Sequence, residues 1–130
     1  MIILAIRTDK PQAELSLYDG REELASVKWK AHLKLAETLN TQIEEILNKS
    51  SISYGDLQGI AVFKGPGSFT GLRIGMSTAN ALAYSLNIPI VSRDSGDWLE
   101  KSLKDLQSGQ NDRTAIPEYG SPVRTTQPKK

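Results

Sequence analysis

The sequence predicts an α/β fold, a mixed sheet built in the order β-β-β-α-β-α-β. Three observations carry that prediction. Ile2 to Ile6 is an unbroken apolar run, as expected of a strand covered on both faces. Two alternating segments follow, separated by Asp19-Gly20, a dipeptide suited to a type I′ hairpin turn because both of its central positions need φ > 0. From about Leu33 onward the apolar spacing changes from two to between three and four, the period of a helix.

Taken in order, Asp9-Lys10-Pro11 punctuates the first strand, and Ala13, Leu15 and Leu17 alternate with Glu14 and Ser16 in a half-buried second strand. Leu24 to Trp29 is the returning third. Leu35, Leu39, Ile43 and Ile46-Leu47 share one side of an amphipathic helix spanning about Leu33 to Asn48, and Asn48-Lys49-Ser50-Ser51 ends it. Leu57 to Phe63 reads as a strand with an Ile60-Ala61-Val62-Phe63 centre. The turn Gly65-Pro66-Gly67-Ser68 opens a second helix, from Phe69 or Thr70 to Leu86. Ile88 to Val91 is a short parallel strand, and Ser95 to Leu106 a further helix. An antiparallel meander followed by α/β crossovers is the order of the ribonuclease H-like fold and its actin-like relatives, one α/β option among several on periodicity alone. Residues 1–106 form this domain. Residues 107–115 are a polar linker and the remainder to 130 an extended tail.

Bulk composition narrows the functional classes. With 130 residues, 38% hydrophobic and 24% charged, the chain has the size and polarity of an ordinary soluble domain. A net charge of +1 offers no overall basic excess with which to hold a phosphate backbone. The absence of cysteine removes disulfides, thiolate nucleophiles and thiolate-ligated zinc. The apolar start, ended by Arg7, is too short for a signal core or a membrane span, so a cytoplasmic location without membrane attachment is expected.

The segment richest in information is Gly65-Pro66-Gly67-Ser68-Phe69-Thr70-Gly71-Leu72-Arg73-Ile74-Gly75. Gly65 and Gly67 suit a tight strand-to-helix turn, Pro66 stiffens it, and Ser68 or Thr70 can cap the helix. Gly71 and Gly75 leave a smooth stripe against which another backbone can pack. A phosphate cradle at the helix N-terminus is the competing use. The Walker pattern is missing, and the glycines do not follow the first strand as a dinucleotide fingerprint requires.

This block resembles the signature of the TsaB (YeaZ-like) family of tRNA threonylcarbamoyladenosine proteins. The Ile-Leu-Ala-Ile start, Thr8, the Asp-Gly hairpin and a helix beginning near His32 agree with it over about residues 1–92. Family members have a second, related domain, for which there is no room here. Ile116-Pro117-Glu118-Tyr119, Pro122-Val123 and Pro128-Lys129-Lys130 resemble the tail of the longer members, which implies a chain keeping the first domain and the tail without the middle. The resemblance implies an actin-like domain and a role without catalysis. The chain would support a TsaD-like enzyme as it forms N6-threonylcarbamoyladenosine beside the anticodon of tRNAs reading A-starting codons.

The individual residues agree with that implication. Where the family commonly carries Asp beside Thr8, this chain has Arg7, a group that only donates and cannot ligate Mg²⁺. His32 is the only histidine. The TsaD-like paralogue holds its metal with a His-x-x-x-His pair, and the second position here is Ala36. Ser68 and Thr70 lack a base to activate them. No catalytic residue, metal or cofactor is therefore expected. The two long helices are apolar or small around much of their circumference, which predicts a protein interface. The residues expected there are Leu35, Leu39, Ile43, Arg73, Ile74, Met76, Ser77 and Asn80. The resemblance implies that these helices dock on a TsaD-like subunit or on a second copy of the chain. A TsaE-like ATPase would join the complex, and tRNA would be engaged indirectly. The rival readings are a self-contained nucleotide-binding enzyme using the Gly65–Gly71 loop, and a homodimeric interaction module.

Overall fold

A computed structural model describes residues 1–118. The tail-like motif from Tyr119 through Pro122, Val123, Pro128, Lys129 and Lys130 lies outside the described residues. Five strands form one sheet: β1 (Ile2–Arg7), β2 (Gln12–Asp19), β3 (Glu22–Lys30), β4 (Gly59–Phe63) and β5 (Ile90–Arg93). Their spatial order is β3-β2-β1-β4-β5. The first three are antiparallel, and β1, β4 and β5 run parallel. Three helices cover them: α1 (Leu35–Lys49), α2 (Phe69–Leu86) and α3 (Trp98–Gln107).

The continuous apolar run of β1 is explained by its central place. Leu4 and Ile6 join a core under α1 and α2, while Ile3 and Ala5 join a second core under α3. The edge strand β3 alternates instead. Ala25, Val27 and Trp29 pack towards α1, and Glu22, Ser26, Lys28 and Lys30 face water. The Trp29 indole donates to Thr38 Oγ1 of α1 at 2.9 Å. On the other face, Trp98 of α3 meets Phe63 edge-on, with ring centroids 5.5 Å apart.

The elements follow the predicted order, and the shifts at their ends have physical causes. Asp19 pairs with Glu22, so the hairpin turn is Gly20-Arg21 with positive φ only at Gly20, one residue beyond the expected pair. α1 begins at Leu35 because His32–Lys34 forms a separate 3₁₀ turn, with His32 in the left-handed region. A Ser53–Asp56 capping box holds another short turn, Tyr54–Asp56, and delays β4 to Gly59. α2 ends on Asn87, whose left-handed backbone lets Ile88 N–H bond back to Ala83. Ile88 and Pro89 complete that exit, so β5 starts at Ile90. Ser95 also has positive φ, which postpones α3 to Trp98.

Candidate functional site

The glycine block lies where β4 leaves the sheet and α2 begins, beside the end of β1. Its spacing of four places Gly67, Gly71 and Gly75 in one line, and that line is seated on Thr8 and Asp9. A Cβ at Gly67 would meet the Asp9 side chain, one at Gly71 the Thr8 carbonyl oxygen, and one at Gly75 the Thr8 hydroxyl. Thr8 Oγ1 donates to the Gly71 carbonyl at 2.8 Å, and the Ser68 N–H donates to the Asp9 carbonyl at 3.0 Å. The Ser68 hydroxyl caps the helix by accepting from Gly71 N–H at 3.3 Å. The smooth stripe expected to receive another backbone is thus occupied by the chain's own Thr8-Asp9 segment, directly after the first strand.

Arg7, the departure from the family pattern, forms a two-pronged pair with Asp9. Arg7 Nε is 2.8 Å from Asp9 Oδ1, and its Nη2 donates to Oδ2 at 3.2 Å. The guanidinium also lies 4.1 Å from the centre of the Phe63 ring. The hydrogen bond donated to Asp9 outweighs partial burial and raises the Arg7 pKa further, so the group is cationic at every working pH. Asp9 is buried and already committed to Arg7. Arg7→Met is expected to destabilise the fold by about 2 kcal/mol, because it strands a buried carboxylate. Arg7→Asp, which sets two carboxylates together, is expected to destabilise it more. Urea titration of the two variants checks the order.

His32 and Ala36 provide no metal pair, and no group of three His, Asp or Glu that could hold an ion occurs among the described residues. No described helix is long and apolar enough to cross a membrane.

The expected interface residues separate into two groups. Leu35, Leu39, Ile43 and Met76 are 5%, 0%, 1% and 3% exposed and belong to the core between helices and sheet. They cannot present side chains to a partner. Their regular spacing marks the core-facing stripe, and the wide apolar arc was wrongly divided between core and surface. Asn80 is also engaged, holding the backbone of Ala115 through both ends of its amide. Arg73 and Ser77 are exposed and Ile74 half-buried. These three do come together, in a depression of about 390 Å³ between α1 and α2 that Ala36, Phe69, Thr70 and Thr78 complete. It continues along the helices past Asn40, Ala81, Leu82 and Ser85. Phe69 is 52% exposed at its rim, with the Arg73 guanidinium 5.4 Å from its ring centre. Ala36 and Ala81 also line it, and their small side chains give little hydrophobic signal in the sequence.

The model of the TsaD family, tRNA N6-adenosine threonylcarbamoyltransferase, matches residues 29–106. The chain belongs to this family. It is TsaB/YeaZ-like within it. The tRNA threonylcarbamoyladenosine biosynthesis protein TsaB of Bacillus subtilis is 38% identical over 92 residues, covering 69% of this chain and 39% of that protein. The tRNA N6-adenosine threonylcarbamoyltransferase of Geotalea daltonii is 49% identical over a shorter stretch of 61 residues, 47% of this chain and 18% of that one. This chain therefore spans about two fifths of the length of its TsaB relative. YeaZ from Pseudomonas aeruginosa superposes with a TM-score of 0.67 at 24% identity, over 72% of this chain and 43% of that one. The fold is thus ribonuclease H-like and actin-like, as expected.

Proposed function

We infer that this TsaB/YeaZ-like chain is a non-catalytic partner subunit in the formation of N6-threonylcarbamoyladenosine in tRNA. The observation that carries this reading is the groove between α1 and α2. Its lining is mostly small or short side chains with Ile74 and Leu82 among them, its rim is Phe69 and Arg73, and the core residues beneath it are already satisfied. Such a surface admits another helix closely, and an aromatic–arginine pair at its rim has the composition of an interface anchor. The occupant is a TsaD-like subunit, with a second copy of the chain competing for the same groove. A TsaE-like ATPase completes the assembly, and tRNA is engaged through the catalytic subunit. Isothermal titration of the chain with a TsaD-like subunit tests this, alongside sedimentation of the chain alone. A Kd in the micromolar range or tighter is expected. A chain that stays monomeric and gives no binding heat at high concentration overturns the reading.

The nucleotide-binding alternative has less to support it. A phosphate cradle needs open glycine backbone, and Gly67, Gly71 and Gly75 are closed off by Thr8 and Asp9. The same calorimeter decides it: Mg-ATP is expected to give no heat, whereas tight binding abolished by Gly67→Ala would reinstate the enzyme.

A further inference from the structure

Residues 110–118 contain no helix or strand, yet they are bonded to α3, β5, α2 and Lys64 at the entry to the glycine loop. Gln110 N–H donates to Asp105 O of α3 at 2.9 Å, and Asp112 N–H to Ile90 O of β5 at 2.8 Å. The outer edge of β5 is closed by side chains acting as a substitute strand. Ile90 N–H donates to Asn111 Oδ1 at 3.1 Å, and Ser92 N–H to Asp112 Oδ2 at 3.0 Å. Arg93 joins the parts, reaching Asp105 at 2.9 Å and Asp112 at 2.7 Å. Burial alone would lower its pKa, and the bonds to Asp112 and Asp105 outweigh that and raise it.

The segment then crosses to α2. Asn80 Nδ2 donates to Ala115 O at 3.1 Å, and Ala115 N–H donates to Asn80 Oδ1 at 2.8 Å, as a neighbouring strand would. Ala115 is only 3% exposed and belongs to the main core. Finally Glu118 N–H donates to Lys64 O at 2.8 Å. Its carbonyl lies where a Cβ at Gly65 would stand, and Gly65 has a φ of +113°. The first glycine of the block thus accommodates this crossing segment, whereas the later three accommodate Thr8 and Asp9.

We propose that residues 110–118 form a strap, clasped by Asn80, whose closure sets the geometry of the glycine loop and of the first turn of α2. Because Phe69 stands on that turn and Arg73 follows directly on it, the strap controls through α2 how the docking surface is presented. Neither the extended linker expected from composition nor the interface role expected for Asn80 includes this function. The coupling to docking rests on the partner-subunit reading, but the effect on the loop does not.

Amide hydrogen exchange on the full chain carrying Asn80→Ala tests it, with Ala115→Asp as a second way to open the clasp. Exchange at Ala115 and across residues 65–72 is expected to quicken roughly tenfold or more, with the amides of β1 to β3 unaffected. Affinity for the TsaD-like subunit should fall roughly tenfold. Three results overturn the proposal: Ala115 protected in both variants, a freed Ala115 with an unaltered loop, or protection lost across the whole sheet. A quickened loop with unchanged partner affinity would confine the strap to stability and overturn the control of docking. If the unmodified chain binds no partner, the docking reading fails, and loop exchange alone decides the strap.

Discussion

Gly71→Ala is expected to lower the melting temperature of this chain by on the order of 10 °C, a loss of about 3 kcal/mol. The direction is opposite to the ordinary effect. In an exposed helix interior, alanine is favoured over glycine by about 1 kcal/mol. Here the added methyl would fall on the Thr8 carbonyl oxygen, and α2 would have to lift off the segment that follows β1 to admit it. Gly75→Ala should behave similarly, with one instructive difference. Its methyl meets the Thr8 hydroxyl first, so Thr8→Ala in the same chain should recover much of the loss. The same second change cannot rescue Gly71→Ala, because the obstacle there is main chain. Thermal melts of five variants, the two glycine changes with and without Thr8→Ala and Thr8→Ala alone, form a double-mutant comparison. Equal rescue at both positions, or a Gly71→Ala chain as stable as the parent, would show that the glycines are not seated on Thr8.

Ser77→Trp is expected to weaken association with a TsaD-like subunit by roughly 100-fold or more, about 2.7 kcal/mol, with an unchanged melting temperature. Ser77 is exposed and lines both stretches of the groove between α1 and α2. An indole there fills the space that an incoming helix requires and touches none of the core. Met76, one position earlier, is unsuitable for such a test. It is buried, and a charged replacement would unfold the chain rather than blunt its surface. Titration calorimetry together with a melt separates the two effects. Full binding by Ser77→Trp would move the interface elsewhere.

The architecture was legible because its signals are local. The apolar run of Ile2 to Ile6, the alternation in β2 and the helical spacing of Leu35, Leu39 and Ile43 each fix an element without reference to distant residues. The candidate site was less so, for reasons of geometry. Periodicity reports that a helix has a buried stripe, but not which of two adjacent arcs faces the sheet. The strongest hydrophobes were therefore assigned to a partner when the core had claimed them. Likewise, Gly71 and Gly75 announce a close approach without naming what approaches, and Thr8 is more than sixty residues away in the sequence. Asn80 was the hardest case. Its amide is matched to the main chain of Ala115, a contact that leaves no mark on composition or spacing.

The placement of the two indoles has a practical consequence. Trp98 is packed edge-on to Phe63 beneath α3, and Trp29 is tethered to Thr38 on the opposite side of the sheet. Each layer thus has its own fluorophore, one shielded and one partly open to quencher. Iodide quenching and emission maxima of Trp29→Phe and Trp98→Phe chains would show whether the two sides loosen together on denaturation or in separate steps.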